Sequence, residues 1–153
     1  MDRFIKTILL FSIPLTLFTS CFKDQLSKDI KEIEKFIAEN NLIGFQITEE
    51  DLYYRIDEPG EDQKPKLGDQ IVVHYRGYYT DGEVFDSSYD RGTPLDIPLN
   101  ALIEGWRKGL VFFGKGGKGM LIIPSYMGYG SRPPGTIRKD AVLVFEIELI
   151  DIK

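Results

Sequence analysis

The sequence is poor in the residues on which much protein chemistry depends. Its 153 residues include one Cys and one His, which excludes an internal disulfide and a zinc site built from Cys and His alone. His74 stands in no carboxylate–His–Ser order that would point to a nucleophilic triad, so it reads as a structural histidine. The net charge is −5 and the 19 Lys and Arg residues form no block, which argues against nucleic acid as a partner. The N-terminal apolar run, Ile8 to Phe18, is interrupted by Ser12, Pro14 and Thr16 and falls short of the ~20 residues that cross a bilayer. No internal repeat occurs, and no strand–helix alternation points to a parallel sheet. The run Gly114-Lys115-Gly116-Gly117-Lys118-Gly119 lacks the Gly-Lys-Ser/Thr ending of a phosphate loop. It also precedes a strand pattern rather than a helix, so it predicts a cationic turn. Aromatics are well represented: eight Tyr, ten Phe and one Trp are ample for an apolar pocket.

The front of the chain, MDRFIKTILLFSIPLTLFTSC, has the cations Arg3 and Lys6, an apolar stretch, and small residues before Cys21. This is the layout of a secretory signal. Its end resembles the bacterial lipobox, with Phe18 where Leu is commonest. The resemblance implies a lipoprotein signal peptide over 1–20, cleavage before Cys21, and lipidation of that residue. The mature protein would then be a membrane protein of the bacterial cell envelope, lipid-anchored and facing the periplasm or the outer-membrane surface. The alternative is a free or buried cysteine beside an ordinary cleavage site.

Residues 21–48 predict a lipidated tether with a spacer helix over 28–40. Ile30, Ile33 and Ile37 form its apolar stripe, Ser27 its N-cap, and Asn40-Asn41 its stop. Three turns make a marginal isolated helix, so the helix is read as partly packed on the domain; a dimerisation arm is the other reading. From about Gly44 the pattern is β-rich. Alternation marks 52–56, 70–82 and 141–152, a short buried strand spans 119–124, and Asp81-Gly82, at the end of 70–82, marks a hairpin. One internal helix is predicted around Glu104 to Val111. Strands outnumber helices, which predicts an α+β fold with a twisted antiparallel sheet on one short helix.

Four segments stand in order: VHYRGYYTDGEVFDSS, ALIEGWRKGL, LIIPSYMGYG and AVLVFEIELI. Together they resemble the FKBP-type peptidyl-prolyl cis-trans isomerase family, over a domain of residues 49–153. The resemblance implies an FKBP-like five-stranded sheet wrapped around one short helix, with an apolar pocket between them. It implies catalytic roles for Asp86, Tyr129 and Tyr75. It implies pocket walls from Phe85, Leu102, Ile103, Trp106 and Phe145, with Leu95 and Ile97 where the family often has aromatics. Arg91 and Tyr75 would hold the Asp86 carboxylate, while the Ile103 N–H and the Tyr129 O–H would bind carbonyls. No cofactor and no metal are implied. The implied partners are proline-containing polypeptides and possible macrolide inhibitors of the family, acting on a monomer.

The segment VFDSSYDRGTP, 84 to 94, then acquires a reading. Taken alone, Asp86 beside Phe85 is a turn residue capping Ser88, and Ser87 and Ser88 are loop hydroxyls. Within the family's motifs, Asp86 instead faces the pocket in an electrostatic role. SRPPGTIRKD, 131–140, departs from the family's pattern and predicts a differently shaped rim loop. Two functions follow: an isomerase acting on exported or envelope proteins, or a weakly active or inactive binding and chaperone module of an envelope assembly.

Overall fold

The computed structural model describes the backbone of residues 16–153, and side chains from residue 22 onward. The expected leader over 1–20 lies largely, and the Cys21 side chain wholly, outside the described residues. The chain opens with helix α1, Thr16–Glu39. The expected N-cap, Ser27, is an exposed residue inside this helix. A serine in a helix interior costs only about 0.5 kcal/mol relative to alanine, and no Gly or Pro lies within α1 to stop it. The C-terminal stop falls at the Asn pair. Asn41 adopts φ 51, its N–H donates to Ala38 O, and the Leu42 N–H donates to Ile37 O, the closing pattern of a left-handed C-cap.

The strands are β1 (Gln46–Ile47), β2 (Tyr53–Glu58), β3 (Gln70–Tyr78), β4 (Val84–Ser87), β5 (Leu95–Pro98), β6 (Lys118–Ile123) and β7 (Leu143–Ile152). Helix α2 is Glu104–Gly109, extended by a 3-10 turn over Leu110–Phe112. All the strand pairs are antiparallel, in the order β1-β2-β6-β7-β3-β4, with β5 also on β3. The expected sheet of five strands appears as five lanes. The fifth lane is broken in two: β5 pairs with Ile71 to Val73 and Gln70, and β4 with Arg76 to Tyr78. β1 adds two residues at the opposite edge. The pieces β4 and β5 are four residues each, too short for their period-2 pattern to be distinguished from a loop in sequence.

Side-chain alternation sorts the sheet into two faces. Ile71, Val73 and Tyr75 of β3, Leu121 and Ile123 of β6, and Leu143, Phe145, Ile147 and Leu149 of β7 join Trp106, Leu110 and Phe113 in the inner core. Met120, Ile122 and Val144 point the other way and meet Ile33 and Phe36 of α1. The helix read as a spacer is therefore packed along the outer face, with Ile33 fully buried. Strand β6 is covered on both sides, and its last five residues are all buried. On β7 the outer row changes from Val144 to Glu146 and Glu148, where the apolar cover ends.

The glycine-rich run closes against a neighbouring loop. Gly114 donates to Pro59 O, Glu61 donates to Lys115 O, and Lys115 donates to Gln63 O. A Cβ on Gly114 would lie 1.9 Å from Glu61 O, so this glycine is required by a backbone contact rather than by a phosphate.

Candidate active site

The break in the edge lane creates the site. Between the β5 and β4 pairings, Tyr75 has no strand partner on that side, yet its backbone is satisfied. The Ser88 N–H donates to Tyr75 O at 3.0 Å, and the Tyr75 N–H donates to Ser88 Oγ at 2.8 Å. Ser88 is fully buried and its hydroxyl also meets His74 Nδ1 at 2.9 Å. One serine thus takes the place of a missing strand partner and fixes the start of the loop at 88–94. His74 stacks on Tyr89 with ring centroids 4.5 Å apart, in a structural role.

Tyr75 reaches from this gap toward Asp86 on β4. Its hydroxyl donates to Asp86 Oδ2, Arg91 Nη1 donates to Asp86 Oδ1, and Arg91 Nη2 donates to the Tyr75 hydroxyl at 3.0 Å. The three residues form a closed triangle of donors and acceptors. Asp86 is not a buried carboxylate, for its side chain is 42% exposed at the cavity mouth. An ion pair this open contributes about 0–1 kcal/mol to stability, so its consequence is orientation. Nor is Asp86 a turn residue: it pairs with Gly77 across β3–β4.

Behind the triangle lies a cavity of about 380 Å³. Trp106 stands edge-on to Tyr75 and to Phe145, each at 5.1 Å and 89°, while Phe85 meets Phe145 at 5.5 Å and 86°. These T-shaped contacts place ring edges against ring faces, the favourable quadrupole arrangement. Gly77 makes the packing possible, because a Cβ there would fall 2.8 Å from both the Phe85 and Phe145 rings. Leu95, Leu102, Ile103 and Tyr129 complete the expected lining. Ile97 lies two residues farther along β5, opposite Ile71, and packs into the inner core rather than lining the cavity.

Two lining residues escaped the sequence reading, Ala101 and Ile137. Ile137 is the lone aliphatic side chain of the rim segment 131–140, and that isolation was its only signal. The rim is pinned by Arg138, whose backbone N–H donates to the Tyr79 hydroxyl at 3.0 Å. Its guanidinium pairs with Asp81 and Glu83 on the β3–β4 hairpin.

Two donors remain for a ligand. Among the described residues, neither the Ile103 N–H nor the Tyr129 hydroxyl has an acceptor within the chain. Both phenols at the site are held protonated. Burial, followed by the hydrogen bond to Asp86, pushes Tyr75 up to about 12, against an opposing pull from Arg91. Burial and then the charge of Asp86 raise Tyr129. Among the described residues, no group of three or more His, Cys, Asp or Glu is placed to hold a metal ion.

Comparison with known proteins yields a match over residues 61–150 to the FKBP_C family, described as FKBP-type peptidyl-prolyl cis-trans isomerase. The chain is 40% identical over 131 residues to the FKBP-type peptidyl-prolyl cis-trans isomerase FkpA of Aeromonas hydrophila, covering 86% of this chain and 49% of that protein. It thus spans about half the length of that curated relative. The crystal structure of FkpA from Escherichia coli matches with a TM-score of 0.76 at 36% identity, over 88% of this chain and 63% of that one. A peptidyl-prolyl cis-trans isomerase structure from Pseudomonas syringae matches with a TM-score of 0.70 at 30% identity, over 86% of this chain and 95% of that one.

Proposed function

The chain belongs to the FKBP-type peptidyl-prolyl cis-trans isomerase family, and from that premise we propose that it accelerates rotation about X-Pro bonds in exported or envelope polypeptides. The observation that carries the reading is an aromatic cavity with two donors at its wall, the Ile103 N–H and the Tyr129 O–H, that have no acceptor among the described residues.

Rotation about the X-Pro bond faces a barrier of about 20 kcal/mol because the planar amide is stabilised by resonance. In the twisted transition state that resonance is lost and the carbonyl becomes less polar. Leaving water therefore costs the twisted form less than the planar one. A cavity walled by Trp106, Phe85, Phe145 and Leu102 favours the twisted form, the differential binding on which catalysis depends. The Ile103 N–H and the Tyr129 O–H hold neighbouring carbonyls, each at about 0.5–1.5 kcal/mol, so their value lies mainly in orientation. Asp86, steered by Tyr75 and Arg91, presents its charge to the twisting imide. No proton transfer is required.

The leader pattern and the position of the sole cysteine support lipidation at Cys21 and an envelope location. We read the protein as a monomer, with macrolide inhibitors of the family as candidate ligands of the same cavity. The cis-to-trans rate of short X-Pro peptides, measured with the purified full chain and its Tyr129→Phe variant, tests the activity. Acceleration that weakens in the folded variant is expected. A folded protein that leaves the rate at background for several X residues would turn the reading to a binding module. Mass spectrometry of the Cys21→Ala variant should show loss of acyl chains; an unacylated native Cys21 would remove the anchor.

A further inference from the structure

A carboxylate on the far side of the sheet is connected to the turn that carries Tyr129. Asp29 of α1 is 1% exposed, the only acidic side chain among the buried polar residues described. A carboxylate taken out of water needs compensating donors, and Asp29 has three. Gln25 Nε2 donates to Oδ1 at 2.7 Å; the Ser125 N–H and Ser125 Oγ donate to Oδ2 at 2.9 and 2.6 Å. Ser125 begins the 3-10 turn Ser125–Met127 and is itself buried.

What Ser125 does with its carbonyl gives the contact its meaning. Ser125 O accepts from the Gly128 N–H at 3.1 Å and from the Gly130 N–H at 2.9 Å. These amides flank Tyr129 on both sides. Gly130 O in turn accepts from the Asp140 N–H at 2.9 Å, closing the rim segment that carries Ile137. Ser125 is therefore held on its donor side by Asp29 and grips the Tyr129 backbone on its acceptor side. With Gly128 and Gly130 as neighbours, this backbone has little intrinsic stiffness of its own.

We propose that Asp29 is a positioning residue for Tyr129, fixing through Ser125 the turn from which the phenol reaches the cavity. The proposal rests on the reading that the Tyr129 hydroxyl binds a substrate carbonyl. It assigns α1 a second task beyond covering the outer face. Charge-assisted hydrogen bonds are shorter and stronger than neutral ones, which suits a contact that must hold a glycine-flanked turn in one geometry.

The test uses the full chain with Asp29→Ala, read in two ways. Amide exchange at Gly128 and Gly130 should quicken by about tenfold, while the Gly82 amide in the β3–β4 hairpin stays within about twofold. Parallel acceleration at all three amides, or no change at 128 and 130, would overturn the proposal. In isomerase assays, Asp29→Ala should lower kcat/KM by about tenfold in the native background and by less than about twofold beside Tyr129→Phe, because the two act as one unit. Additive losses would likewise overturn it. Ser125→Ala, which removes one of the two donors on that oxygen, should move both readouts in the same direction by less, and serves if Asp29→Ala does not fold. A native chain without isomerase activity would defeat the functional reading alone, since the exchange measurement still decides the positioning.

Discussion

The two faces of the sheet are covered by very different helices. The outer face lies under α1, 24 residues and about 36 Å long; the inner face lies under α2, six residues and about 9 Å long. Beneath α1 the sheet presents Tyr53, Met120, Ile122 and Val144, which close against Ile33 and Phe36. Beneath α2 it presents Leu121 and Ile123 against Gly109 and Gly105 of the helix, and beyond them Tyr75 and Phe145, with Phe85 at the edge and Trp106 descending from the helix. A short helix cannot span the inner face, and aromatic rings line the space it leaves open. The cavity is the part of the inner core that its helix does not reach. The inner face thus carries both the larger core and the cavity, while the outer face contributes packing and the Asp29 contact.

Cutting into either face tests that division. The largest effect is expected for Trp106→Ala, which removes a 3%-exposed indole shared by core and cavity. It should cost about 3–5 kcal/mol of stability and abolish isomerase activity in the molecules that remain folded, as read by urea unfolding beside peptide assays. Ile122→Ala, on the outer face and fully buried, should cost about 2–5 kcal/mol but leave kcat/KM per folded molecule unchanged. A matching loss of activity there would mean that outer-face packing in general, and not the Asp29 contact alone, reaches the cavity. Asp86→Asn should reverse the pattern, shifting stability by less than about 1 kcal/mol because the ion pair is open to solvent. Its kcat/KM should fall by about tenfold, chiefly in kcat, if the charge serves the transition state.

The smallest effect concerns pH. The Tyr75 phenol is raised from 10.0 to about 12 in the folded site. A raised folded value means a stability contribution fully present below the unfolded pKa and lost as pH climbs through the folded one. Unfolding midpoints should therefore decline between about pH 10 and 12, less steeply in Tyr75→Phe. An equal decline in both proteins would detach the effect from this phenol.

The parts of the molecule legible in sequence are those whose signal is local. Alternation along 70–82 and 141–152 marks β3, which ends at Tyr78, and β7, and the row Leu143, Phe145, Ile147, Leu149 faces inward as its spacing requires. Asp81-Gly82 marked the hairpin, where Gly82 adopts φ 89. Most of the cavity lining was legible only through the family's four motifs. What stayed hidden depends on distant partners. Ser27 looked like a cap because nothing local shows that the helix continues through it. Ser88 looked like a loop hydroxyl because its partner, the Tyr75 backbone, lies 13 residues away across a broken lane. Asp29 and Ser125 are 96 residues apart, and no window along the chain contains both. Ile97 shares the alternation of Leu95, but period 2 gives a face and not a depth.

The divided edge lane also bears on how such a protein diversifies. Each half is pinned to β3 by its own register, and Ser88 secures the backbone between them. Residues 90–94 therefore take no part in the sheet's ladder, although Arg91 among them reaches Asp86. Insertions on either side of Arg91 leave the strands in phase, and each doubling of loop length costs only about 0.6 kcal/mol. This rim is a detachable margin: its length can change without moving the frame behind it.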